Sequence, residues 1–174
     1  MTTVLIIIVA IVALIFLLHL IMGKEMLIVR SIDIDKPIGH VFDYVKLTKN
    51  QDNFSVWNMK DPNMKKEYQG IDGTVGFIYK WDSKDTSVGA GEQEIKEIEA
   101  GKRIVYEVRF LRPMKNIGTP KFTLNVVNPD KTTFSWIFSC PTKFPMTVMK
   151  PIFQKMLAKD LETGLLNLKR LLET

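Results

Sequence analysis

The second half of the chain alternates apolar and polar residues in short segments and then changes to one long helical pattern. The period of two recurs over 65–68, 74–81, 90–98, 103–111, 121–127 and 132–140, and short turns separate most of these segments. From Met149 to Leu172 apolar residues recur at steps of three and four, which is typical of an amphipathic helix. Short links favour antiparallel strands, and this helix is the only element long enough to cover their sheet. The longer link 112–120 contains two prolines and Gly118, which predicts a loop.

Before these strands come one further strand and two short helices. Residues 25–34 predict a strand, and Asp35 followed by Pro37 predicts a helix start, with Asp35 as the cap. Residues 50–57 predict a second short helix, which Phe54 and Trp57 would pack. The pattern therefore predicts an α+β domain in which a curved antiparallel sheet of about seven strands wraps round a long C-terminal helix.

An apolar run near the start of the chain predicts a separate element. Val4 to Met22 is a 19-residue stretch without Asp, Glu, Lys or Arg, and at about 1.5 Å per residue it is long enough to cross a bilayer. It lacks the basic start and the small-residue cleavage site of a signal peptide, which favours a retained anchor. Lys24 and Arg30 follow the run, so the positive-inside rule predicts a single-pass membrane protein with a cytoplasmic C-terminal domain. We predict an anchor at 1–23 and one domain at 24–174.

The charges exclude some functions. All 24 basic and 19 acidic residues follow the run, and the net charge of +5 is mild and scattered. This charge suits a position near an anionic membrane surface. Nucleic-acid binding is the weaker interpretation, because the sequence has no basic stripe interleaved with exposed aromatic residues. The lone Cys140 excludes an internal disulfide and a cysteine-rich zinc site, and its apolar strand predicts a buried, unreactive thiol.

Residues 28–172 resemble a known superfamily. The resemblance rests on SIDIDKPIGHVFDYV, on Trp57 followed by DPNMKKEY, on GTVGFIYKW, on GAGEQEIKEIEAGKRIVYEVRF and on the last helix. Together these are similar to the SRPBCC superfamily, the START-like helix-grip domains, and most closely to its polyketide cyclase/dehydrase branch. The resemblance implies a cavity between the sheet and the long helix. It implies no single function, because the superfamily includes lipid carriers, hormone receptors, aromatase/cyclases, hydrolases and chaperone activators.

The period of two identifies the side chains that would face this cavity. Phe77, Tyr79 and Trp81 share one face of their strand while Lys80 takes the other, so the rings point inward. The predicted ligand-binding lining is Phe77, Tyr79, Trp81, Gln93, Tyr106, Val108, Phe110, Phe122, Leu124, Phe134, Trp136, Phe138, Met149, Phe153, Met156 and Leu157. The plain alternative is a packed core, but the polar tips on Tyr79, Trp81, Gln93, Tyr106 and Trp136 favour a small-molecule site. Gly89 and Gly91 are expected to face the rings and leave room for them.

Catalysis has little support in the sequence. His40 is the one histidine of the domain, and no residue pattern indicates a metal site, a catalytic set or a cofactor. Glu92 and Glu94 share a face that is expected to be solvated; either one turned inward would be a candidate acid or base. We therefore expect a membrane-anchored binding domain for a lipid-like or polycyclic hydrophobic molecule. The alternatives are a cyclase-, dehydrase- or hydrolase-type enzyme and a protein-interaction module, although the sequence indicates no particular protein partner.

Overall fold

A computed structural model describes residues 2–21, 23–143 and 146–174, without the side chains at 8, 11, 12, 14–16, 18–21 and 146. The elements in chain order are α1 Thr2–Ile21, β1 Glu25–Ile34, α2 Ile38–Val45, a 3₁₀ helix Thr48–Asn53, α3 Val56–Met59, β2 Lys65–Gln69, β3 Ile78–Asp82, β4 Ala90–Glu99, β5 Arg103–Arg112, β6 Asn116–Asn128, β7 Lys131–Pro141 and α4 Met146–Glu173. 

The seven strands form one antiparallel sheet. Their order is β1-β7-β6-β5-β4-β3-β2, so β2 to β7 follow one another and β1 closes the far side against β7. Register shifts at Ala90/Gly91 and at Ile95/Glu97 interrupt the β4–β5 ladder, and such bulges bend a sheet. The predicted α+β architecture, a curved sheet with a long C-terminal helix, is confirmed.

The core divides into two clusters along α4. The larger one joins the sheet and α2 to the C-terminal half of α4 through Leu165, Leu168 and Leu172. The smaller one contains Met26, Ile28, Cys140 and Ala158. Phe153 and Leu157 of α4 pack against the smaller cluster but are only half-buried, because they also line a space that protein does not fill.

Three local predictions were wrong. The predicted loop at 112–120 ends early, because β6 begins at Asn116 and Gly118 pairs with Val108. Gly118 belongs in this strand because a Cβ there would lie 2.8 Å from Cζ of Phe138. The single helix predicted at 50–57 is divided into the 3₁₀ helix and α3. Asp35 does not cap α2, since Pro37 occupies the N-cap position and no side chain bonds to the helix start.

The apolar run forms most of α1. Within the described part of the chain, no helix combines the length and the apolar character needed to cross a membrane. The predicted span, 4–22, includes positions 8, 11, 12, 14–16 and 18–21, whose side chains lie outside the described part, and residue 22, which lies wholly outside it. The span therefore stays a prediction.

A candidate ligand-binding cavity

A cavity of about 690 Å³ lies between the sheet and α4. Strands β3 to β7 form one wall, Phe153, Leu157 and Leu161 of α4 form another, and residues 51–60 close one side. A volume of this size is typical of sites for small organic molecules, which are mostly apolar with a few polar groups. The region where the two core clusters separate is therefore a candidate binding site.

Most of the predicted lining residues do face this cavity. Those that line it are Tyr79, Trp81, Gln93, Val108, Phe110, Phe122, Trp136, Phe138, Phe153, Met156 and Leu157. The predicted residues that do not are Phe77, Tyr106, Leu124 and Phe134, which lie buried in the larger core cluster, and Met149, whose side chain is 46% exposed. The first four are inward-facing as expected, but they lie at the end of the sheet that the C-terminal half of α4 fills.

The aromatic residues of β2 and β3 form a stacked ladder along the sheet. The ring of Tyr79 stacks on those of Trp81 and Tyr68, with centroids 5.9 and 5.6 Å away. Gly91 lies opposite this ladder, since a Cβ there would lie 2.6 Å from Cζ2 of Trp81, and so this predicted contact is confirmed. Gly89 does something different: it has a φ of +65° and its Cα faces the carbonyl oxygen of Arg112 instead of a ring. 

Several buried polar atoms along the cavity have no hydrogen-bond partner. Gln93 Nε2 donates to Gln51 Oε1 at 3.2 Å, but Gln51 Nε2, Tyr79 Oη and Trp57 Nε1 bond to nothing in the described part of the chain. Gln51 and Tyr79 are only 3% and 4% exposed. Burial, together with the negative charge of Asp52, raises the pKa of Tyr79 far above its usual range. Its hydroxyl is therefore protonated at neutral pH and keeps its proton available as a hydrogen-bond donor.

Sequence reasoning missed Gln51 as a lining residue and treated Trp57 only as a packing residue. Thr48 and Gln51 are the buried residues of the 3₁₀ helix, and they lie three residues apart, which is the period of such a helix. This periodicity was the signal that could have placed Gln51 on the inward side.

The carboxylates suggested as possible acids do not reach the cavity. Glu92 and Glu94 lie on the outer face of β4, where Arg109 Nε and Nη1 bind them at 2.6 and 2.9 Å. His40 is exposed on α2. The carboxylate that does line the cavity is Asp160 of α4, which pairs with Lys60 at 3.1 Å. No cluster of three potential metal-ligating side chains occurs among the described residues.

Cys140 lines the cavity opposite Met26, near the start of β1. Its thiol is 6% exposed and accepts a hydrogen bond from Asn116 Nδ2 at 3.0 Å. Burial raises the pKa of the Cys140 thiol to about 11. The thiol is therefore uncharged at neutral pH and forms part of the apolar wall.

Comparison with known proteins identifies the fold. No family model and no curated protein match the chain, whereas many solved structures do. Norcoclaurine synthase from Thalictrum flavum matches with a TM-score of 0.65 and 10% identity over 91% of this chain and 92% of that one. The di-domain ARO/CYC protein BexL of the BE-7585A biosynthetic pathway matches with 0.62 and 18% over 87% of this chain, which spans only 51% of BexL. The Aha1 dimer of Colwellia psychrerythraea matches with 0.59 and 16%, over 84% and 96%.

At these identities the likeness shows the fold alone. That fold is the helix-grip fold predicted from the sequence, and the neighbours include cyclase-type and Aha1-like proteins. Norcoclaurine synthase has also been solved in complex with dopamine and hydroxybenzaldehyde, and that structure matches with the same TM-score. 

Proposed function

We propose that the domain binds an apolar small molecule that carries a hydrogen-bond acceptor, held between the sheet and α4. The observation that carries this proposal is the set of buried donors without partners, Gln51 Nε2, Tyr79 Oη and Trp57 Nε1, along an aromatic cavity of about 690 Å³. A buried polar group without a partner is unfavourable by about 1–3 kcal/mol. These donor atoms have almost no accessible surface in the empty cavity, so a ligand with a carbonyl, ether or carboxylate oxygen would satisfy them after a small shift of their side chains. Its apolar body would cover the rings.

The test is recovery of the ligand from the purified full chain in zwitterionic lipid nanodiscs, by solvent extraction and mass spectrometry. We expect an apolar, oxygen-containing molecule, distinct from the nanodisc lipid, in a fixed ratio to the protein. Tyr79→Phe should retain about fivefold less, because it removes one hydrogen bond of about 1 kcal/mol. Tyr68→Phe is the matched control, since its half-exposed ring belongs to the same ladder but does not line the cavity.

Equal retention by wild type and both variants would contradict a role for the Tyr79 hydroxyl. If extraction gives no molecule, and a broad panel of apolar compounds gives no binding, the binding proposal fails.

A second candidate function is an enzyme acting on an apolar substrate. The observation that favours it is the ion pair of Lys60 and Asp160, which places one base and one acid along the cavity. If the protein is an enzyme, extraction should recover the product from the wild type and the unreacted substrate from the Asp160→Asn variant. Identical molecules recovered from both proteins would argue for binding without turnover.

We also propose that α1 anchors the domain in a membrane, with the C-terminal domain in the cytoplasm. The charge-free run supports this, as do the described apolar side chains of α1, of which Val4, Ile6 and Val9 are each at least 60% exposed and so are not packed on the domain. A charge near the centre of a spanning helix is unfavourable by about 2.5–3.5 kcal/mol. Ala13→Lys should therefore lower the fraction that resists alkaline carbonate extraction, while Thr3→Lys, at the helix end, should not. Complete extraction of the wild type would overturn the proposal.

A further inference from the structure

The mouth of the cavity is basic. The charged residues that line the cavity are Lys60, Arg112, Lys115, Lys143, Lys150 and Asp160. Lys60 pairs with Asp160, and Arg112 pairs with Asp82. Over the described ranges, by contrast, Lys115 and Lys143 form no ion pair, and Lys150 Nζ donates to the carbonyl oxygen of Gly23 at 3.0 Å. Three ammonium groups of the lining thus have no carboxylate partner.

Hydrogen bonds bring these three lysines to the same end of the molecule. Asn116 Nδ2 donates to the carbonyl oxygen of Pro141 at 3.1 Å, which joins the β5–β6 loop next to Lys115 to the end of β7 just before Lys143. The backbone N–H of Thr142 donates to the carbonyl oxygen of Lys24 at 2.7 Å. The lysines therefore gather where the chain leaves α1 and enters the domain. The acid of this region, Glu25, is exposed and has no ion pair within the described ranges.

The wall behind these lysines is apolar. Phe138, Phe153 and Leu157 line the same cavity, and Met114 and Met156, at 52% and 46% exposed, extend the apolar surface to its mouth. A basic rim over an apolar interior is complementary to a molecule with an anionic head and an apolar body.

We infer that the ligand is an amphiphile whose anionic headgroup, a carboxylate or a phosphate, binds at Lys115, Lys143 and Lys150. This inference rests on the proposed binding function and adds the class of the ligand to it. The apolar body occupies the cavity, and the headgroup remains at the mouth, where partial solvation limits the desolvation of the charges.

The chain provides its own probe of occupancy. Its three tryptophans are Trp57, Trp81 and Trp136, and all three line the cavity. Bromine atoms quench tryptophan fluorescence on contact, so a brominated amphiphile reports its own entry. The experiment titrates the full chain, in zwitterionic nanodiscs, with dibromostearate and with the corresponding dibrominated alcohol, which has the same brominated chain and an uncharged hydroxymethyl group in place of the carboxylate.

We expect both probes to quench, with dibromostearate binding about tenfold more tightly at low salt and losing this preference as salt screens the lysines. Lys115→Gln/Lys143→Gln should lower the affinity for dibromostearate about fivefold and leave that for the alcohol unchanged. The matched control is Lys65→Gln/Lys102→Gln, which removes the same charge from lysines outside the cavity lining and should change neither affinity.

The outcomes separate the two proposals. Equal affinities for the acid and the alcohol, unchanged in the lysine variant, would overturn the anionic headgroup and leave the binding function standing. If neither probe quenches, the headgroup inference falls. The binding function falls with it only if extraction of the full chain also recovers no ligand, because these probes carry no acceptor atom in their apolar body.

Discussion

Gly91 illustrates how a single residue shapes the wall of the cavity. A Cβ at this position would lie 2.6 Å from Cη2 of Trp81 and 2.7 Å from the carbonyl oxygen of Arg109. Neither the stacked indole nor the strand backbone can move aside without breaking other contacts. We expect Gly91→Ala to lower the free energy of unfolding by about 2 kcal/mol, as overpacking does elsewhere, measured by chemical denaturation.

Gly39→Ala is the control for this substitution. Gly39 lies within α2, and nothing lies within 4 Å of a Cβ added there. Alanine is the better helix former, so this variant should be more stable than the wild type by up to about 1 kcal/mol. An equal effect of both substitutions would show that Gly91 is not confined by Trp81.

The thiol of Cys140 gives a second prediction at this scale. At about pH 8, a thiol with a pKa near 11 instead of 9 has roughly a hundredth of the thiolate, and the thiolate is the reactive form. We expect a thiol reagent to modify the folded chain at least about 100-fold more slowly than the chain in guanidinium chloride. The assignment is direct because the chain has one cysteine. Similar rates in both states would mean that the thiol is accessible in the folded protein.

Also at the residue scale, the alternation of apolar and polar residues along the strands predicted most of the side chains that line the cavity. It did not show how far along the sheet the cavity extends. Alternation correctly predicted that Tyr79, Gln93 and Phe138 face inward, because a strand side chain has only two directions to choose from. It could not separate cavity from packed core, since Phe134 and Phe138 share one face of β7 and only Phe138 reaches the cavity. That difference depends on where α4 approaches the sheet, which is a tertiary property.

At the scale of elements, the long α4 and the strands with clear alternation were predictable, while two boundaries were not. Gly118 and Pro120 usually mark a loop, yet both lie inside β6, where the ring of Phe138 covers Gly118. The helix predicted at 50–57 is broken after Asn53. At Gly118, packing against a neighbouring side chain overrides the local preference.

The C-terminal turn of α4 is held by one carboxylate. Glu173 Oε1 accepts the backbone N–H of Asp35 at 2.6 Å and Lys169 Nζ at 2.7 Å, which joins α4 to the link between β1 and α2. These two donors, the Asp35 N–H first, lower the pKa of Glu173 below its ordinary value. The carboxylate therefore stabilises the fold above about pH 4.5, its unfolded value, and this contribution is lost as the pH falls through the lowered pKa.

We expect Glu173→Gln to lower the free energy of unfolding by about 1 kcal/mol near neutral pH and by progressively less in acid. Denaturation curves recorded from neutral pH to about pH 3 measure this convergence. Glu162→Gln, on an exposed position of the same helix, should have almost no effect. A constant difference between Glu173→Gln and the wild type at every pH would assign the loss to packing instead of charge.

On the scale of the whole molecule, the cavity is the part of the core that the chain leaves unfilled. The C-terminal half of α4 buries Leu165, Leu168 and Leu172. The N-terminal half, which begins at Met146, presents partly exposed side chains to an open space. Apolar surface that remains accessible contributes nothing to folding until something covers it. A ligand that fills the space would therefore stabilise the entire domain, because it completes contacts between the sheet and the helix.

Filling the cavity with protein should separate global stability from ligand binding. Val108 lies on β5, lines the cavity and is 5% exposed, so in Val108→Phe the larger ring occupies space that the ligand needs. Without ligand, this variant should unfold within about 1 kcal/mol of the wild type, because the added ring has room. With dibromostearate at about 100 times its dissociation constant, the wild type should gain about 2.7 kcal/mol in the free energy of unfolding, and Val108→Phe should gain almost nothing. Val29→Phe, on the exposed face of β1, should keep the full gain; a full gain in Val108→Phe as well would show that the amphiphile binds outside the cavity.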